Sequence, residues 1–361
     1  MVQPPRGDAG AGAVSWLRQN LFSGWPSALA TLAILWLAWR FVPPFFDWAV
    51  FDAIWRSADP RACREAQGQG ACWAFIGEKH RFILFGTYPF GEHWRPALAS
   101  VILIGLWIFS SVRLFWHWWL AAVWAGGLTL IAILMWGGVF GLPYVENERW
   151  GGLILTLILA SFGCALAFPF AIVLALGRHS RLPAVRAACV GYIELIRGVP
   201  LISVLFMASV MLPLFLPAGT SIDKLLRAQL ALILFIAAYL AEVVRGGLQA
   251  VPHHQYEAAE ALGLGYWKRT LHVILPQALR FSIPPLMNTF IALFKDTSLV
   301  LIIGLFDLLS TIKVSLQDPQ WSGFGVEAYL FVSAVYFAFC YAMSRYSRAL
   351  ERGAPRALVD S

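Results

Sequence analysis

Residues 294–300 read FKDTSLV and place Lys295 and Asp296, followed by Thr297 and Ser298, inside a long apolar run. An ammonium and a carboxylate within a hydrophobic helix are costly, and such groups face a bundle interior, pair with one another or mark a solute path. A cation and an anion at that depth could meet the carboxylate and ammonium of a zwitterionic solute. Adjacent helical residues do not share a face. One ligand therefore meets both only if the helix unwinds there, which is tolerated where the backbone lines a cavity. The competing reading is that both side chains pair with other helices or with a partner subunit. Asn288 and Thr289, upstream on the same run, are further pore-lining candidates.

Glu-x-x-Arg-Gly occurs twice, as Glu194 with Arg197 and as Glu242 with Arg245. Spacing of i,i+3 brings each pair onto one helix face, where it can form a local ion pair. A part in the pathway or its gate is the alternative for both pairs, with Glu194 and Arg197 as the pathway candidates. Of the five cysteines, Cys164, Cys189 and Cys340 sit in apolar stretches and read as packing residues. Cys63 and Cys72 lie nine positions apart in a polar segment and can form a disulfide if that segment faces an oxidising compartment. No Gly-x-x-x-x-Gly-Lys-Ser/Thr loop occurs, nor any Gly-Lys dipeptide, so the chain is not its own P-loop ATPase. Neither His-Glu-x-x-His nor Cys-x-x-Cys is present. No metal site and no catalytic constellation emerges, and the chain reads as a non-enzyme.

The elements that must hold these residues are membrane spans. Of 361 residues, 59% are hydrophobic and 13% charged, against about 25% charged in soluble domains. A nucleic-acid partner is disfavoured, because the basic residues behind the +7 net charge are dispersed between apolar runs. About 20 apolar residues cross a bilayer as a helix. Charge-poor runs at 21–39, 96–112, 118–142, 151–176, 198–222 (with an amphipathic lead from Pro183), 228–241, 281–306 and 328–344 predict an all-α, multi-pass fold of about eight spans. Loop charges set the direction. With the N-terminus in the cytoplasm, Arg6, Arg18, Arg113, the 178–186 and 245–280 groups and Arg345 to Arg356 all fall inside, as the positive-inside rule asks. Both termini are then cytoplasmic, and the segment 45–95 lies outside. Residues 1–20 and 351–361 read as tails, 21–145 as an accessory helical part and 146–350 as the working core.

One stretch contrasts with the spans around it. EAAEALGLGYWKRTLHVILP, at 257–276, falls in the cytoplasmic loop 246–280. Glu257 to Leu262 are good helix formers, and Gly263 stands where a left-handed helix cap belongs. Gly265 makes a corner, and a second short helix runs on to Pro276. Ala258 and Ala259 give a thin face that a partner can approach closely, with Glu257 as one acidic contact. The alternative is an amphipathic loop that packs on its own protein.

The stretch resembles the EAA motif of bacterial ABC importer permeases. Glu257, Ala258, Ala259 and Gly263 match, and nine residues later come Val273, Ile274, Leu275 and Pro276, with Val273 where isoleucine is usual. ELIRGVPL at 194–201, EVVRGGLQAVP at 242–252 and FKDTSLV resemble segments of the polar-amino-acid branch, which handles histidine, glutamine, glutamate and arginine. Three extra helices ahead of a five-helix core resemble the larger permease of the general L-amino-acid importers. The resemblance implies that the Glu257–Gly263 helix, with Ala258, Ala259, Leu262 and Pro276, couples to a cleft of an ATP-binding subunit. It implies a second, similar permease, two ATPase subunits that carry ATP and Mg, a periplasmic amino-acid-binding protein, and no cofactor on this chain. It places the chain in the bacterial inner membrane. A secondary transporter, which would need coupling-ion sites and usually an internal repeat, is the competing class; it leaves the 257–276 motif without a use.

Overall fold

The computed structural model describes residues 13–57, 59–215, 217 and 222–352. Of the expected tails at 1–20 and 351–361, residues 1–12 and 353–361, with Arg6 and Arg356, lie outside the described residues, as does part of the 198–222 run; residues 13–20 form a helix rather than a flexible tail, and 351–352 end the last helix. Among the described residues the chain is helical, with no strand. In order, the helices are α1 (Ala13–Asn20), α2 (Trp25–Phe46), α3 (Pro60–Glu65), α4 (Ala74–Phe85), α5 (Trp94–Ser111), α6 (Trp119–Trp136), α7 (Gly152–Arg178), α8 (Pro183–Arg197), α9 (Leu201–Phe206), α10 (Leu212–Leu214), α11 (Lys224–Ala250), α12 (His253–Ala261), α13 (Tyr266–Arg269), α14 (Leu275–Asp296), α15 (Leu308–Ser315) and α16 (Gly325–Arg352). Among the described residues seven helical stretches are long and apolar enough to cross a bilayer, and an eighth crossing results if α8 and the α9–α10 segment, bent by 103°, count as one.

Residues fall into two compact units, 1–77 and 78–361, with the boundary inside α4. The first holds α2 and a small polar knot. Here Ile54 N–H donates to Ala71 O at 2.8 Å, Ala71 N–H to Trp48 O at 2.8 Å, and the Trp73 indole to Ala49 O at 2.7 Å. Cys63 and Cys72 are disulfide-bonded. A Cβ on Gly70 would lie 1.8 Å from Asp52 O, so only glycine fits. Residues 47–77 therefore form a closed structure of their own rather than an open loop.

In the second unit α5 and α6 form an antiparallel hairpin. Arg95 at the start of α5 reaches Leu134 O near the end of α6, while a Cβ on Gly127 would touch Leu106. The hairpin shares a core with α7: Ala99, Leu103, Leu134 and Met135 pack with Ile154, Leu157 and Phe294. The boundary expected at 145/146 thus lies inside one compact unit, because apolar faces that lipid or helix can equally cover carry no domain signal.

Helices α7 and α11 run parallel. Gln229 meets Leu159 O at 3.4 Å toward their starts, and Arg178 meets Glu242 at 2.8 Å toward their ends. The chain between them, 179–223, must therefore return to the end where α7 began. The α8 to α10 path makes that return: α8 is the amphipathic lead expected from Pro183, and it meets the following segment at a bend of 103°. On α11, Gly247 admits α14: a Cβ there would lie 2.0 Å from Ser282 Oγ and 2.4 Å from Ala278 O. Small residues play this part in membrane bundles, where close backbone packing replaces the hydrophobic effect.

Pro276 does not end the second helix of the 257–276 stretch. Residues Thr270–Ile274 form one π turn, and the helix continues through Pro276 to Asp296. Proline lacks the N–H that an α-helix needs. The wider turn shifts the bonding so that Leu275 N–H reaches Thr270 O just ahead of it. One continuous helical span of 38 residues results, Tyr266–Ile303.

Candidate functional site

A cavity of about 420 Å³ opens between α9, α11 and α14. Its walls are Leu201, Phe235, Ile236, Tyr239, Asn288, Thr289, Ala292, Asp296 and Leu299. Asn288, Ala292 and Asp296 recur every fourth residue and so share one face of α14. The Thr289 hydroxyl is turned back to Pro285 O at 2.8 Å, leaving Asn288, Tyr239 and Asp296 as the polar groups available to a solute. At Asp296 the α-helix ends and a 3₁₀ stretch, Thr297–Ile303, takes over. A change of helical type in mid-span often marks a hinge.

The members of the FKDTSLV stretch separate. Asp296 lines the cavity. Lys295 is exposed and does not line it. Thr297 is buried, with its hydroxyl on Phe294 O at 2.9 Å. Ser298 is half-buried outside the lining. Among the described residues neither Lys295 nor Asp296 forms a salt bridge. The aromatic and apolar walls from α11 and α9 carry no sequence signal that separates them from ordinary core residues.

Closer to the ends of α7, α8 and α11 lies a charge cluster centred on Glu242. Its carboxylate meets Arg178 at 2.8 Å, Arg245 at 2.8 Å and Arg197 at 3.8 Å. Of the two expected i,i+3 pairs, Glu242 with Arg245 forms. Glu194 instead meets Arg178 at 3.1 Å, and Arg197 lies over the Tyr239 ring, 5.6 Å from its centre. Arg178, which in sequence is only a loop charge, ties three helices together. Packing geometry decides these partners, and an i,i+3 spacing cannot see a third helix.

At the same end of the bundle α12 projects from it. Its C-terminus is a Schellman cap: Gly263 at φ +71° donates to Glu260 O at 2.8 Å, and Leu264 N–H to Ala259 O at 3.1 Å. Ala259 is buried behind, where Tyr256 donates to Leu248 O at 3.3 Å and burial pushes its phenol up. Glu260 is paired with Arg269, which closes the corner with the next helix. The outward side presents Glu257, Ala258 and Leu262, then Tyr266 and Trp267; Leu262 is 79% exposed. Glu257 meets His253 at 3.0 Å. Pro276 is at the other end of the hairpin, inside the continuous helix.

A bundle of apolar spans, with a largely apolar cavity among them that carries the polar groups of Asn288, Tyr239 and Asp296, and a hairpin projecting at one end, has the build of a solute permease. The chain belongs to the family of binding-protein-dependent transport system inner membrane components, matching it over residues 167–354. It is 53% identical over 346 residues to the inner membrane amino-acid ABC transporter permease protein YhdY of Escherichia coli, covering 94% of this chain and 92% of that one. It is 37% identical to the glutamate/glutamine/aspartate/asparagine transport system permease protein BztC of Rhodobacter capsulatus, covering 94% and 93%. The crystal structure of an amino acid ABC transporter with histidines superposes with a TM-score of 0.51 at 30% identity, over 56% of this chain and 92% of that one. The chain is thus a multi-pass membrane permease subunit of the ABC importer type, and the secondary-transporter reading is set aside.

Proposed function

We propose that the chain carries polar L-amino acids across the bacterial inner membrane, with the energy supplied by separate ATP-binding subunits that dock on α12. The observation that carries this is the outward ridge of Glu257, Ala258, Leu262 and Gly263, a capped helix held off the bundle with its apolar face uncovered. Two ATPase subunits, holding ATP and Mg, a second similar permease and a periplasmic amino-acid-binding protein complete the assembly. This chain binds no cofactor of its own. Names such as amino-acid permease and glutamate/glutamine/aspartate/asparagine permease among its relatives support the substrate class.

Within the cavity Asp296 is the group for the substrate ammonium. Its carboxylate lines the space, while Lys295 is left for the partner permease or the headgroup region. Both termini face the cytoplasm. Parallel α7 and α11 support an even number of crossings, and the basic loops support the direction. So does the Cys63–Cys72 bond, which needs the oxidising side.

Proteoliposomes holding the chain with its partner permease and ATPase test the reading. They should accumulate radiolabelled glutamate, glutamine, histidine or arginine only when ATP and the binding protein are both supplied. Accumulation that follows a proton gradient with no ATPase present would overturn it.

A further inference from the structure

Residues 78–88 lie outside the 167–354 stretch that matches the family, and a solved relative is matched over 92% of its length by 56% of this chain. A permease core can thus be built without about two fifths of this protein. Yet these residues are bonded to the core at points directly connected to the cavity.

The connection runs through the backbone. From the cavity wall at Asp296 and Leu299 the 3₁₀ stretch leads to Gly304, at φ +77°, and then to Phe306, whose carbonyl accepts Gly152 N–H at 2.8 Å. Asp307, fully buried, caps α15 by accepting from Leu309 and Ser310 N–H at 3.2 and 3.0 Å, and accepts from the Tyr336 hydroxyl at 3.1 Å. Residues 78–88 grip both sides of this joint. Thr311 of α15 donates to Ile83 O at 2.9 Å, with both residues fully buried. Lys79 meets Asp318, just beyond α15, at 2.6 Å. On the α7 side, a Cβ on Gly152 would lie 2.2 Å from Leu84 O and one on Gly86 2.7 Å from Gly151 Cα, so the backbones touch. Thr87 donates to Arg149 O at 3.2 Å.

The geometry points to residues 78–88 as an outer brace, a positioning element that holds the start of α7 and the α15 end of the cavity-lining segment together as one piece through the transport cycle. This rests on the proposed function, which makes this end of the bundle the periplasmic one. Outward opening then moves this whole piece relative to the partner permease; the joint at Gly152 and Phe306 does not part.

The test locks and loosens the brace in the reconstituted complex. Lys79 and Asp318 are both replaced by cysteine (K79C, D318C) and bridged from outside with a short bifunctional maleimide. The bridged complex should keep at least half its ATP-driven uptake. Loss of uptake on bridging, with a monofunctional maleimide harmless, shows that the joint must open and overturns the brace. In the second arm Thr311→Val removes the donor to Ile83 O at nearly constant shape, and Thr311→Ser keeps it. Thr311→Val should lower substrate moved per ATP hydrolysed at least three-fold, at unchanged ATPase affinity, and Thr311→Ser should restore it. An unchanged ratio in Thr311→Val overturns the proposal. If the unaltered complex shows no ATP-driven uptake, the functional reading itself fails, and the brace with it.

Discussion

Gly263 offers a perturbation whose two causes of failure can be told apart. The residue sits at φ +71° with no heavy atom of the described chain within 4 Å of where a Cβ would be. Inside the free subunit, then, a side chain meets open space and the only cost is conformational. For alanine that is roughly 1–2 kcal/mol, while asparagine adopts the left-handed region more readily. A loss of this size shifts Tm by only a few degrees, so Gly263→Ala, Gly263→Asn and Gly263→Leu should all insert and purify normally. If an ATPase cleft closes on this cap, the order reverses. A side chain forced into a packed contact costs about 1–3 kcal/mol, or roughly five- to 150-fold in affinity, and asparagine, being larger, is then worse than alanine. Binding of the purified ATPase to the detergent-solubilised permease, followed by ATP-driven uptake, should therefore rank unaltered above alanine, alanine above asparagine, and leucine last. A leucine variant with unaltered affinity and uptake would refute the docking argument. Asparagine outperforming alanine would assign the defect to strain alone.

Three further outcomes follow from the same geometry. Asp296→Asn removes the charge facing the cavity; charge-assisted hydrogen bonds are worth about 1.5–3 kcal/mol, so the KM for uptake should rise about ten-fold or more with ATPase binding intact, and an unchanged KM removes Asp296 from the site. Glu242→Ala leaves Arg178, Arg197 and Arg245 without their shared acceptor, and should cost about 1–3 kcal/mol, seen as a lowered Tm, whereas Glu194→Ala, whose side chain is 57% exposed, should change Tm little. Asp307→Ala removes the cap of α15 and should cost about 0.5–2 kcal/mol, while Asp307→Asn, which can still cap, should recover most of it in the same melting assay.

The spans were legible because their signal is compositional: twenty charge-poor residues mean the same thing wherever they occur. The 257–276 hairpin was legible because its cap, corner and helix formers are local. What was not legible is pairing. Nothing in the spacing of Glu194 and Arg197 shows that Arg178 and Glu242 will claim them, and nothing in Phe235 or Tyr239 separates a cavity wall from a core. The path through Pro276 was misread for a related reason: proline predicts a stop, and the π turn that carries the helix past it depends on bonding one turn earlier. The knot at 47–77 was half visible, in its two cysteines, but its carbonyl pairings and the fit at Gly70 are three-dimensional facts.

The parallel course of α7 and α11 also constrains how the protein is made. Gln229 finds Leu159 O across 70 residues of chain. At about 5–20 residues per second, α7 leaves the ribosome roughly 4–14 s before its main partner exists. Its 27 residues hold no charge before Arg178, and the hydroxyls of Thr156 and Ser161 are bonded to carbonyls of the same helix, so lipid can cover it for that interval without burying a charge. Helix α11, which brings Glu242 and Arg245, arrives second. By then Arg178 is already waiting at the membrane face, so the most polar helix of the pair enters a bilayer in which its counter-charge is in place. Exchanging the order of the two helices in the gene would reverse that sequence of events and leave Glu242 to wait with only Arg245 of its own helix as a partner.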